Sequence, residues 1–307
     1  MTRPCLALTG GTGFIGQHVL RELTRRGYQV RVLLRRPTVL PPDCASAVIG
    51  DLARPQNMAS ALADVDAVVH SAGLSHAASG VPEDDYRVLN VEATIGLARA
   101  ARRAGVRRFV FLSSVRAQAG ASDARVLTEQ LEPQPTDAFG RSKLAAEQGL
   151  AEVEIDWVAL RLALAYGPGV TGNMARLIAL ARSRVPLPLG ALTARRSLLS
   201  LDNLAAAIDC VVNARAPLRR PLIVADPEPL TVAEMIAAMR RGIGRKPGLV
   251  PVPPRLLEMV LRAAGRADAY ERLARPLVAD PSALLALGWV PPVATPDGLA
   301  RLTARVD

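Results

Sequence analysis

The sequence predicts an α/β fold, a doubly wound parallel sheet followed by a smaller carboxyl-terminal lobe. Three observations predict it. Short apolar strands alternate with helical stretches through the first half of the 307 residues, the pattern of a parallel sheet covered on both faces. A glycine-rich run, Thr9-Gly10-Gly11-Thr12-Gly13-Phe14-Ile15-Gly16, joins the first strand to the first helix. After Arg161 the texture changes, with prolines concentrated from Pro168 to Pro254 and shorter helical stretches.

The elements follow in order. The apolar run Leu6-Ala7-Leu8 marks a strand at 6–9, and further strands fall at 30–34, 47–49, 67–70, 108–112 and 157–161. Helical patterns at 13–26, 55–63, 84–104 and 138–151 lie between them. Crossovers between parallel strands are right-handed, and the ligand of such a sheet sits at the carboxyl ends of its strands. In the second half, helices are expected at 173–184, 202–213 and 231–243, with an apolar strand at 222–225. The helix at 202–213 and that strand form the segment that returns to the sheet. Residues 1–165, joined by 197–226, are expected to form a Rossmann-type dinucleotide-binding domain. Residues 166–196 and 227–307 are expected to form the substrate-binding lobe.

The glycine run builds an anion seat. Gly10, Gly13 and Gly16 are spaced G-x-x-G-x-x-G. Glycine lets the backbone turn tightly and approach a ligand without a Cβ in the way. The helix behind presents unpaired N–H groups and a partial positive charge to a diphosphate. Between strand and helix, a dinucleotide explains the run better than a loop that merely needs glycine. Gly10, Thr12, Gly13, Phe14, Ile15 and Gly16 are its expected contacts.

The second strand ends Leu34-Arg35-Arg36-Pro37, where an NAD site places an acid on the ribose hydroxyls. Guanidinium forks suit a 2′-phosphate instead, so Arg35 favours NADP over NAD. A solvated basic strand end is the alternative. Asp51, followed by Leu52, is placed to accept from an adenine amino group or to serve as a turn or helix cap. His70 reads as a packed strand residue rather than a catalyst.

Composition narrows the function classes. No apolar run approaches membrane-spanning length, and no secretory leader precedes the first strand, so neither a membrane partner nor export is expected. Cys5, Cys44 and Cys210 are scattered, which suits a reducing, cytoplasmic setting and no metal site. The net charge is +10, yet the basic residues are dispersed and aromatics make up 3% of the chain. That is too few for a nucleic-acid stacking platform. The surplus reflects background arginine usage or an anionic small-molecule substrate.

The glycine run, Asp51-Leu52, Asn90-Val91-Glu92-Ala93-Thr94, Ser113-Ser114 and Gly140-Arg141-Ser142-Lys143 together resemble the extended short-chain dehydrogenase/reductases. The branch most similar is the nucleotide-sugar epimerases, over nearly the whole chain. The resemblance implies an NAD(P)-dependent epimerase or keto-sugar reductase acting on a nucleotide sugar. It also implies a homodimer formed through the helices at 84–104 and 138–151. In that family a Ser or Thr, a Tyr and a Lys form the active site, with Tyr and Lys four residues apart on one helix face. The lysine lowers the tyrosine pKa, and the phenolate exchanges a proton with the substrate hydroxyl. Ser114 and Lys143 match, with Lys143 also expected on the cofactor ribose, but the tyrosine position holds Phe139.

Phenylalanine keeps the ring and cannot move a proton. Three readings of position 139 stand open: an engineered replacement, a natural enzyme working through another group, or a silent NAD(P)-binding sensor or assembly subunit. Tyr166 is the best substitute donor, with packing on the ring as its plainer role. By the same resemblance, Asn173 at a helix start and Arg196 would hold the substrate diphosphate; an N-cap and a surface arginine are the alternatives. Ser114 is followed by Val115-Arg116 rather than by acids, which argues against a sugar-nucleotide dehydratase.

Overall fold

A computed structural model describes residues 4–41, 44–75, 81–265 and 267–304; the outer ends of the two predicted ranges, 1–3 and 305–307, lie outside the described residues. Seven strands form one sheet: β1 (Cys5–Thr9), β2 (Gln29–Leu34), β3 (Ala45–Val48), β4 (Ala67–His70), β5 (Arg108–Ser114), β6 (Asp156–Leu162) and β7 (Arg220–Val224). Their order is β7-β6-β5-β4-β1-β2-β3, and every neighbouring pair is parallel. The winding reverses between β1 and β4, which opens a crevice above their carboxyl ends. The helices that surround or follow the sheet are α1 (Phe14–Arg25), α2 (Ala93–Arg103), α3 (Ala138–Ala151), α4 (Gly172–Arg182), α5 (Leu201–Asn213), α6 (Val232–Gly242), α7 (Pro254–Ala263), α8 (Ala267–Ala274) and α9 (Thr295–Ala304).

Strand side chains point alternately to the two faces, and the apolar ones feed two cores. Leu6, Leu8, Val110 and Leu112 pack with Val19 and Leu23 of α1 and with Leu204 and Ile208 of α5. Ala7, Phe109, Phe111 and Trp157 pack on the other face with Leu97 and Ala101 of α2 and Ala146 and Leu150 of α3. Both faces are thus covered by helices whose apolar residues recur at helical spacing. Leu284 and Trp289, late in the chain, also join the first core. A third core, around Tyr166, Met174, Leu198, Met235 and Leu299, holds the lobe together. α6 opens there with a capping box between Thr231 and Glu234.

Two helices differ from expectation. The helix predicted at 55–63 shrinks to Met58–Ala61, because Asn57 takes a left-handed φ of 55° and stops the helix extending toward Pro55. The stretch predicted at 84–104 begins Glu83–Tyr86 and passes through a π-helical turn, Arg87–Glu92, before α2. Such turns often carry function. This one presents Asn90, which is buried.

Candidate active site

The glycine run wraps the end of β1. Gly10 sits at φ 70°, and a Cβ there would lie 2.7 Å from the amide nitrogen of Ala72. A Cβ on Gly16 would lie 2.0 Å from the carbonyl oxygen of Gly10. The turn therefore closes on itself and on the loop after β4. Gly13 caps α1 without a side-chain hydrogen bond, so the first-turn N–H groups, which have no intrahelical partner, are left for an anion. Thr12 and Gly13 are exposed, while Phe14 and Ile15 anchor the turn on the first core. These residues fit the diphosphate of a dinucleotide. Arg35 and Arg36 are exposed at the carboxyl end of β2. Asp51 Oδ1 accepts from the Ala53 amide at 2.9 Å, the turn role foreseen for it, and Leu52 packs on the second core.

A buried polar chain lies beneath this crevice. The Ala72 amide donates to Thr9 Oγ1 at 3.2 Å, and Thr9 Oγ1 lies 2.6 Å from His70 Nδ1. His70 Nε2 lies 2.9 Å from Thr94 Oγ1, which itself donates to the Asn90 carbonyl at 2.7 Å. Thr94 has one proton and it is committed. His70 therefore carries its hydrogen on Nε2, and Nδ1 accepts from Thr9. Burial, with Lys143 nearby, lowers the His70 pKa to about 3, so the ring is neutral and structural. Asn90 continues the chain. Its Oδ1 accepts from the Leu74 amide at 2.8 Å, and its Nδ2 donates to the Leu74 carbonyl at 3.1 Å and to Ser142 Oγ at 3.0 Å. Ser142 Oγ in turn donates to the Phe139 carbonyl at 2.8 Å. The loop after β4 is thereby tied to the helix that carries Phe139 and Lys143.

That helix, α3, starts where Asp137 accepts from the Gly140 amide at 2.7 Å. Residues 139 and 143 share a face. The Lys143 ammonium donates to the Leu112 carbonyl at 2.9 Å, 4.5 Å from the Phe111 ring centroid. Burial lowers its pKa to about 8. Phe139 is buried, edge-on to Tyr86 with centroids 6.4 Å apart. Ser114 ends β5, and its Oγ accepts from the Arg116 amide at 3.2 Å. Behind it, Ser113 Oγ donates to Glu147 at 2.5 Å, and Arg161 pairs with the same carboxylate at 2.6 Å. This buried pair fixes β5, β6 and α3 to one another. Tyr166 is locked elsewhere: its hydroxyl donates to Asp226 at 3.1 Å, and burial raises its pKa. Its ring belongs to the third core and its hydroxyl is committed there.

On the lobe side a cleft of about 930 Å³ opens among α4, α6, α7 and α8. Leu164 lines it, two residues past Leu162, which pairs with Ser114 across β5 and β6. Asn173, Arg176 and Arg196 are its polar lining. Leu177, Leu187, Leu198, Met235 and Leu257 typify the rest, and no lining residue among those described is aromatic. Asn173 is the second residue of α4, and the cap is Thr171; the N-cap expectation is corrected, since the cap lies two residues earlier in the chain. Arg196 donates to the carbonyls of Arg275 and Ala121 at 2.8 and 3.0 Å. Burial and the neighbouring Arg116 guanidinium lower its pKa.

The model of the NAD dependent epimerase/dehydratase family matches residues 6–224. The chain belongs to this family. Among its relatives, the UDP-glucose 4-epimerase of Vibrio cholerae is 29% identical over 306 residues, covering 96% of this chain and 93% of that protein. The ceramide reductase of Caulobacter vibrioides is 29% identical over 276 residues, covering 88% of this chain and 80% of that one. A solved structure, MoeE5 in complex with UDP-glucose and NAD, superposes with a TM-score of 0.73 at 27% identity, with 97% of each chain covered.

In this member of the family, the structure brings Phe139, Lys143 and the end of β5 together, and it brings Asn173 and Arg196 to one cleft. Sequence reasoning assigned no role to Asn90, Thr94 or Ser142. Their segments were matched only as family pattern, and nothing local announces that a π-turn aims Asn90 inward. Outside the site, His18 Nε2 lies 2.8 Å from Asp202 Oδ1 and Glu22 pairs with Arg25. His18, Glu22 and Asp202 are close enough to one another to hold an ion, and these polar pairings account for all three.

Proposed function

We propose that the chain is an NAD(P)-dependent oxidoreductase that reduces or oxidises a carbonyl/hydroxyl carbon on a substrate with a long apolar part. The observation that carries this reading is the cleft beyond Leu164, aliphatic along most of its lining. Apolar side chains there gain about 25 cal/mol per Å² of apolar ligand surface covered and offer a nucleotide base no stacking partner. The ceramide reductase likeness supports the same reading. Gly10, Thr12, Gly13, Phe14, Ile15 and Gly16 would seat the diphosphate, Asp51 and Leu52 the adenine side, and Arg35 a 2′-phosphate. The dinucleotide supplies or accepts hydride when bound. Ser114 would bond the reacting oxygen, and Lys143 would hold the ribose hydroxyls. With Phe139 unable to move a proton, the Lys143 ammonium is the acid left beside the site.

A second reading, a nucleotide-sugar epimerase or keto-sugar reductase, is favoured by Asn173 and Arg196 standing on the same cleft and by the UDP-glucose 4-epimerase likeness. A homodimer through the helices at 84–104 and 138–151 and a cytoplasmic location belong to both readings. The division into a cofactor domain and a substrate lobe at residue 166, with 197–226 returning, belongs to them as well. Calorimetric titration with NAD and NADP comes first, with Arg35→Ser expected to weaken NADP by about tenfold, the worth of one charge-assisted pair. Turnover of long-chain oxo compounds against UDP-hexoses then separates the readings. Turnover of UDP-hexoses alone would overturn the first, and dinucleotide binding without any turnover would leave a silent binding protein.

A further inference from the structure

The rim of the cleft carries an apolar surface that the site does not use. On α7, Leu257 and Leu261 line the cleft, four residues apart on one face. Leu256, Met259 and Val260 form a neighbouring stripe directed to solvent, 46%, 61% and 55% exposed. Arg255 and Arg262 flank that stripe on its side away from the cleft. The stripe does not stand alone. The Val250 amide donates to the Leu187 carbonyl at 2.9 Å, and the Leu187 amide to Gly248 at 3.0 Å. Arg240 binds the carbonyls of Val185 and Pro247 at 2.8 and 2.7 Å. These bonds hold exposed Val185 and Val250 on one edge of the lobe, and Leu180, partly exposed, lines the cleft beside them.

Charge selects the occupant. Residues 176–190 and 240–262 contain nine arginines and lysines and one acid, Glu258; Arg240 is buried, while Arg176, Arg182, Arg184, Arg241, Lys246, Arg255 and Arg262 are exposed, with Arg241 paired to Asp297 and Arg262 to Glu258. An apolar stripe with basic flanks on a short helix is the pattern of an element that lies in the headgroup layer of an anionic bilayer. An apolar-chain substrate taken from solution needs an apolar cleft. It does not need the outer lip of that cleft to be apolar and basic as well.

We propose that α7 and the adjoining rim dock on an anionic lipid bilayer, from which the cleft takes its apolar-chain substrate. The proposal rests on the apolar-substrate reading above. It departs from the expectation of no membrane partner, which rested on the lack of a spanning segment. No helix among the described residues is long and apolar enough to cross a membrane, and surface docking requires none.

Flotation of the whole chain with phosphatidylglycerol–phosphatidylcholine vesicles tests it, with pure phosphatidylcholine vesicles alongside and each at low and high salt. Association with the anionic vesicles is expected, weakened by salt. The double substitution Met259→Asp, Val260→Asp should lower it at least about tenfold, since two apolar side chains leave the bilayer. Neither residue lines the cleft. Dinucleotide titration of the same variant reports folding and the cofactor reading independently, so loss of one function is told from loss of the other. Absence of binding to anionic vesicles would overturn the proposal, as would binding indifferent to the double substitution. A stable oligomer that the substitution dissociates, measured by light scattering without lipid, would assign the face to a second copy of the chain and overturn it too.

Discussion

The Lys143 ammonium stands 5.9 Å from the centroid of the Phe139 ring, one helical turn away on α3. The ring lies where a phenol would feel that charge, and it has no proton to give. A positioned acid or base contributes roughly 10²–10⁴ in rate. Phe139→Tyr should therefore raise turnover by about that range while leaving dinucleotide affinity unchanged, read by steady-state rates and calorimetry. A variant no faster than the parent would place the proton transfer on another group.

If the Lys143 ammonium is the acid in the parent protein, reduction should decline as pH rises through about 8, where burial has brought its pKa. Stability must move the other way. The folded pKa lies below the unfolded value of about 10.4, so between the two the unfolded chain binds more protons and stability rises with pH. The burial cost is fully present below pH 8 and fades as pH rises toward the unfolded value. Lys143→Met should abolish this gain, measured by urea unfolding on both sides of the window.

Glu147 and Arg161 are each 4% exposed, and the carboxylate also takes the Ser113 hydroxyl. Removing one partner leaves a buried charge without compensation, which costs about 3–5 kcal/mol. Glu147→Gln is expected to lose that much in denaturant unfolding. An Arg161→Met, Glu147→Leu pair should recover most of it. A double variant as weak as the single one would show that the pair contributes more than its mutual neutralisation.

The sheet was legible because its signals are local. Leu6-Ala7-Leu8 followed by Gly10, Gly13 and Gly16 specifies a strand, a tight turn and a helix start with little help from the rest of the chain. Lys143 and Phe139 came to notice only through the family resemblance of their segment, and the structure sets them one turn apart on α3. Asn90 was not legible, because its meaning depends on a π-turn that shifts the helix face by one residue, and no propensity in Arg87–Glu92 dictates that. The character of the cleft was equally hidden. Leu164, Leu198, Met235 and Leu257 lie far apart in sequence, and each reads alone as ordinary core. Only their convergence, with Asn173, Arg176 and Arg196 as the polar points, shows the cleft to be mostly aliphatic.

Thr94 offers the sharpest check on the buried chain. Thr94→Val keeps the shape and removes both the donor to the Asn90 carbonyl and the acceptor for His70 Nε2. A buried donor left unpaired costs about 1–3 kcal/mol, and that loss is expected in chemical unfolding. Dinucleotide affinity should fall as well, because Asn90 holds the Leu74 backbone through two hydrogen bonds and the loop borders the Gly10 turn. The order of donors is independently measurable. Nitrogen-15 spectra of the parent should show His70 neutral down to about pH 3, with its hydrogen on Nε2. A hydrogen on Nδ1 would reverse the chain: Thr9 would accept from both Ala72 and His70, and Thr94 would have to donate to Nε2 in place of the Asn90 carbonyl.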